Sequence, residues 1–314
     1  MIDQNRAVGE AGCRGWHRLQ FKRVGSCVAG LTAWLLAVFA SVAASPVFAA
    51  TNSSDTLQGT SNTAVRRSAV QSIPFDQLDA DSREKVNAVL SNVSIYRRLP
   101  IRAVNCDPDL YLFLLRHPDV VVNIWEILGV SQIQLRQIDI DTFRIVETEG
   151  TMATLEYVYH SHDLQIVYGK WTYTGPLLAR KITGTCLAVL KTGYTKNSDG
   201  KYLITSRLDG FLSVDSGGAE MLARALQPLV VKNIDNNFIQ TIAFLGSMSK
   251  TSEVNLAGMQ RLAGRLTHVQ SETRQQLSAV AASVAQRAAA KTAAGKDESS
   301  QRVASRLPPE TPQQ

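Results

Sequence analysis

Cysteine is scarce in this chain, and what is missing around it narrows the chemistry at once. There are four cysteines in 314 residues, and only Cys106 and Cys186 lie beyond residue 49. That rules out a cysteine-rich metal pattern. No glycine-rich nucleotide loop and no serine–histidine nucleophile arrangement is legible anywhere in the chain. No dense Lys/Arg cluster interleaved with aromatics follows residue 49, so nucleic acid is not an expected partner. The formal charge of +6 belongs partly to the N-terminus: Arg6, Arg14, Arg18, Lys22 and Arg23 against Asp3 and Glu10 leave +3 for the remainder.

What is present begins with that N-terminus. A basic stretch (Arg14, Arg18, Lys22, Arg23) precedes an almost uncharged apolar run from Val28 to Ala44, and Pro46 breaks the run just before Val47-Phe48-Ala49. This order predicts a secretory signal peptide over 1–49, cut after Ala49, and hence a periplasmic or secreted location in a bacterial envelope. The rival is an uncleaved anchor, since the run approaches the length that spans a bilayer. No Arg-Arg pair precedes the run, and Cys27 lies before it, which removes support for a twin-arginine route or a lipid-anchored cysteine. In an oxidising compartment Cys106 and Cys186 invite a disulfide; the alternative is two buried free thiols.

Residues 50–72 are rich in Thr, Ser, Asn and Gln and predict a flexible leader. Phe75 to Ser91 has helical spacing, with Asp79 and Asp81 at its start. Ser94 to Val104 reads as a strand interrupted by Pro100, which argues an edge or bulged position. Asp107-Pro108 and His117-Pro118-Asp119 open two short helices, the second ending at Gly129. Six strand-like segments follow: Ile133–Ile140, Thr142–Thr148, Thr151–His160, Leu164–Tyr173, Ile182–Tyr194 and Lys201–Val214. Their connections are short, so neighbours must be antiparallel. After Ser216-Gly217-Gly218, Met221 to Leu245 gives a broad apolar helical stripe that Pro228 should kink or divide. A thinner stripe from Val254 to Val284, within 247–290, suits either a helical partner or the chain's own surface. Residues 291–314 read as a disordered tail.

Candidate chemistry is sparse. His160-Ser161-His162-Asp163 is the compact cluster of metal-capable side chains, but it falls where a hairpin turn is needed and lacks a third strong ligand nearby. Ser216-Gly217-Gly218 fits a helix cap as well as an anion cradle. Glu156, Arg207 and Asp209 are charges inside strands; on alternation each sits opposite the apolar parity, which favours an exposed sheet face. The aromatics Trp125, Tyr157, Tyr159, Trp171, Tyr173, Phe211 and Phe238 are the candidate wall of an apolar ligand site. Trp171 and Tyr173 are expected on one strand face, and Tyr157 and Tyr159 on another.

The order from Ser94 to Gly246, a strand, two short helices, six antiparallel strands and a long helix, resembles the START-like, polyketide-cyclase (SRPBCC) helix-grip superfamily. The resemblance is one of topology, covers about half the chain, and implies an α+β domain over 73–246: about seven antiparallel strands wrapped around a long C-terminal helix. It further implies a cavity for a hydrophobic small molecule or lipid, with no cofactor. Three functions are then in play. The first is an exported non-catalytic binder. The second is a cyclase- or hydrolase-type enzyme using Glu156, His160, Arg207 or Asp209. The third is an envelope assembly module, with a protein partner or homo-oligomer joined through the 254–284 helix.

Overall fold

The computed structural model describes residues 58–148, 150–175, 181–215 and 228–304, without side chains at 228–231, 233 and 294–304. The signal-peptide segment, Ser216-Gly217-Gly218 and Met221 to Leu226 therefore lie outside the described residues. The fold is α+β: an eight-stranded antiparallel sheet and seven helices among the described residues.

Local sequence sets the helix ends. In α1 (Thr63–Gln71) the Asn62 side chain accepts from Ala64 N at 2.7 Å, and in α2 (Ala80–Ser91) Asp79 accepts from Ser82 N at 2.8 Å. Asp107 caps α3 (Pro108–Arg116), whose first position is the proline that tolerates a missing N–H there. The next helix, α4 (Pro118–Ile127), closes on Gly129 at φ 68°: Gly129 N–H reaches Glu126 O and Val130 N–H reaches Trp125 O, each at 3.0 Å. That pair of bonds is a Schellman ending, and the positive φ is what calls for glycine. The region expected to be a flexible leader is thus helical over Thr63–Gln71, with Ala69 wholly buried. Its cap and its apolar neighbours outweigh a polar composition.

The strands are β1 (Ile95–Arg98), β2 (Arg102–Asn105), β3 (Gln134–Asp139), β4 (Thr142–Val146), β5 (Thr151–His160), β6 (Leu164–Tyr173), β7 (Ile182–Lys196) and β8 (Tyr202–Val214). They run β1-β8-β7-β6-β5-β4-β3, with β2 also on β8. Pro100 splits what the sequence shows as one strand: β1 pairs with the C-terminal half of β8 and β2 with its N-terminal half. This division turns about seven expected strands into eight.

Both faces of the sheet are covered. Leu155, Trp171, Tyr173, Cys186, Leu190 and Leu208 join one core with α3, α4, α5 (Pro228–Val254), α6 (Leu256–Arg265) and α7 (Ser271–Ala304). On the opposite face Ile166, Tyr168, Leu187, Val189 and Phe211 pack under α1 and α2. Of the two readings of the thin stripe, a helical partner or the chain's own domain, the packing agrees with the second: Leu266, Val269, Leu277 and Val284 are buried in the first core. Arg287 on α7 holds the α3 cap, Nη2 to Asp107 Oδ1 at 2.7 Å and Nε to Oδ2 at 2.9 Å. Nor does the chain turn irregular at Lys291: α7 continues to Ala304. The described part of α5 begins at Pro228, and the residues on its N-terminal side lie outside the described residues. No described helix is long and apolar enough to cross a membrane.

Candidate functional site

Between the sheet and α3–α5 lies a cavity of about 50 Å³. Leu155, Tyr157, Gln165, Val167, Cys186, Ala188, Leu190 and Leu208 line it from the strands, Leu114, Leu115, Pro118 and Val121 from α3 and α4, and Thr241 and Leu245 from α5. Alternation in β6 and β7 and the register Val167↔Ala188 and Gln165↔Leu190 bring these side chains to one patch of one face. The lining holds no carboxylate, histidine, lysine or arginine.

Its polar atoms are few. Tyr157 donates its hydroxyl to the Leu115 carbonyl, a short bond that ties β5 to the end of α3. Burial, then the charges of Asp119 and Asp141, pushes that hydroxyl's pKa up. Thr241 Oγ1 donates to Asn237 O at 3.0 Å within its own helix. Gln165 is 2 % exposed and donates through Nε2 to Ser161 O at 2.5 Å; its Oε1 accepts from none of the described residues. Cys186 is a buried free thiol whose pKa burial raises. Cys106 is also free, pushed up to about 12 by burial, and sits beyond β2 against α5, with Sγ 3.6 Å from Leu245 O. The two thiols do not bridge: Cys186 lies opposite Leu212 near one end of β8, whereas Cys106 donates its N–H to Tyr202 O at the other.

Beside the cavity, at the α3–α4 break, are a buried carboxylate and a half-buried imidazole. Asp119 is wholly buried, and neither carboxylate oxygen has a hydrogen-bond partner among the described residues. Burial is the dominant influence on its pKa and raises it to about 6. His117 packs its ring 4.6 Å from Phe113, and burial followed by the Arg116 charge holds its pKa below the ordinary value.

The seven aromatics proposed from sequence divide between the two faces. Trp125, Trp171, Tyr173 and Phe238 belong to the core on the cavity side, and Tyr157 lines the cavity itself. Trp125 meets Phe244 edge-on at 5.7 Å. Phe211 and Tyr159 are on the other side: the Phe211 ring meets Tyr96 at a tilt with centroids 5.1 Å apart, and Tyr159 donates to Gln77 Oε1 at 2.5 Å. Tyr157 and Tyr159 do not share a face. The register jumps from Tyr157↔Val167 to Tyr159↔Ile166, so an extra residue at Val158 reverses the alternation. Neither the bulge nor the cover over Phe211 is written in the period of the strand.

The charged candidates are engaged elsewhere. Glu156 accepts both oxygens' bonds from Lys85 at 2.8 Å. Asp209, expected on an exposed face, is wholly buried: Arg98 Nε reaches it at 2.7 Å and Nη2 at 3.0 Å, and Tyr96 OH at 2.7 Å. Arg207 flanks the same carboxylate at 3.6 Å. His160 turns toward Asp141 at 3.9 Å, while the His162 ring lies 4.2 Å from Tyr194. The turn between them is closed by Ser161, whose Oγ accepts from Leu164 N at 3.0 Å. An open recess of about 410 Å³ lies between Asp79, Asp81, Asp139, Asp141 and Glu156, with Lys85 bridging Asp81 and Glu156.

Sequence reasoning missed Gln165, Asp119 and the leucines of α3. Gln165 did carry a signal, being a lone amide in the apolar run Leu164-Gln165-Ile166-Val167.

No protein-family model matches this chain, and no curated protein does. Solved structures with some likeness include a conserved protein of Geobacillus kaustophilus, at 12 % identity over 46 % of this chain and 92 % of that one, with a TM-score of 0.31. A Rhizobium loti protein has 10 % identity over 46 % and 97 % at a TM-score of 0.27, and an uncharacterized protein of Rhizobium leguminosarum 12 % over 45 % and 93 % at 0.26. Likenesses at that level carry no argument about fold or function.

Proposed function

We propose that this protein is an exported, non-catalytic binder of slender hydrophobic molecules or lipids, which it holds between the sheet and α3–α5 in the manner of a helix-grip, START-like domain. The carrying observation is the cavity: apolar on nearly every side, reached from both layers, and free of ionisable acid–base pairs among its lining residues. At about 50 Å³ it is far below the ~300 Å³ at which ligand sites usually begin. Occupancy by a chain of any length therefore requires α3 and α4 to part from the strands. The break at His117-Pro118, where no side chain caps α4, is the natural place for that movement.

An enzyme on this scaffold has less support. Glu156, His160, Arg207 and Asp209 all lie outside the cavity lining, and Glu156 and Asp209 are neutralised by lysine and arginine partners. An assembly role through residues 254–284 has less support too, since Leu266, Val269, Leu277 and Val284 of the stripe are buried in the chain's own core.

Native mass spectrometry of the exported protein, followed by solvent extraction, tests the proposal. An adduct that releases an apolar molecule supports it. A bare protein mass that persists after incubation with membrane lipid extract contradicts it.

A further inference from the structure

Gln165 gives the cavity a polar point with one unmet need. The Ser161 carbonyl accepts from the amide nitrogen at 2.5 Å, which fixes the amide's orientation and leaves Oε1 as the free end. That oxygen is buried, on a cavity-lining residue that is 2 % exposed, and accepts no hydrogen bond from the described residues. A buried acceptor without a donor is costly, and a native interior seldom leaves one so. The other polar lining atoms do not answer it: Tyr157 OH donates to Leu115 O and Thr241 Oγ1 to Asn237 O.

Resting on the binding function proposed above, we infer that Gln165 selects the head of the ligand: the protein takes a neutral, hydroxyl-bearing amphiphile, whose O–H donates to Gln165 Oε1 while its hydrocarbon chain lies along Val167, Leu190 and Leu208. An ammonium head is disfavoured because the lining supplies no counter-charge. A carboxylate head fares worse, since it cannot donate and no lining residue is cationic. A small volume admits a slender chain end more readily than a ring.

The test compares 1-octanol with 1-fluorooctane, a near-isostere that lacks the donor, by titration calorimetry against the full chain and against Gln165→Leu, with Gln165→Met as a second variant should the first fail to fold. Each probe's partition from water cancels when the alcohol-to-fluoride affinity ratio is compared between proteins. The ratio falls about tenfold or more on removing the amide, while fluorooctane affinity is kept or improved. An unchanged ratio, with both probes bound, overturns the role of Gln165 and leaves the binding cavity standing; Oε1 then belongs to solvent. Failure of both probes to bind the unaltered protein overturns the binding function itself, and this inference with it.

Discussion

Asp119 is the residue whose burial has the clearest measurable consequence. Its folded pKa, raised to about 6 by burial, stands above the 3.8 of an ordinary aspartate. The native state thus holds a proton between those values that the unfolded chain releases, so this group's contribution to stability falls as pH rises through that window. Asp119→Asn should raise stability at pH 7 to 8 by about 2 kcal/mol, with the gain fading below pH 4; urea unfolding at several pH values reads it. A gain that did not depend on pH would show that the carboxylate is not buried in solution. Asp209 is the opposite case, a buried charge fully engaged by Arg98 and Tyr96. Asp209→Ala strands the guanidinium, and a loss of about 3 kcal/mol or more is expected in the same assay. Neither residue's burial could be taken from the strand or helix period. Asp119 reads as an ordinary helix-start acid, and Asp209 looks exposed until one knows that α1 and α2 lie over its face.

Among the elements, α5 approaches β2 closely at Gly246. A Cβ on Gly246 would come within 2.1 Å of Val104 Cγ2 and 3.3 Å of Asn105 O. Gly246→Ala should cost about 1–3 kcal/mol, and Val104→Ala in the same chain should recover part of that loss; equal, additive losses would place the helix further from the strand. The C-terminal elements yield a second test. Because Leu277, Ala281 and Val284 are buried in the principal core, ending the chain before Ser271 should abolish cooperative unfolding rather than free a separable arm. A truncated protein with an undiminished transition would return α7 to the role of an external docking helix. Element type was largely legible: Asp107-Pro108, Gly129 and the turn clusters mark ends that the backbone respects, and β5 and β6 coincide with their expected ranges. Two things were not. Helix α1 hides in a polar composition, and the bulge at Val158 separates Tyr157 from Tyr159 without any residue that announces it.

At the scale of the whole molecule, a sheet between two helical layers has an apolar core on each face, and the cavity described above lies in the one on the α3–α5 side. The expectation of a sheet closed around one terminal helix captured the strand order but not the second layer, because a helix that covers a sheet and one that merely precedes it share the same periodicity. Whether the α3–α5 side takes a ligand, as proposed, is therefore the central question. Titrating methyl-labelled full-length protein with 1-octanol and following methyl chemical shifts answers it most directly. The predicted result is saturable shifts at Val121, Val167, Leu190, Leu208 and Leu245, with Leu187 and Val189 on the opposite face left in place. Shifts confined to the α1–α2 side or to the exposed Ile138, Ile140 and Met152, or none at saturation, would contradict the account.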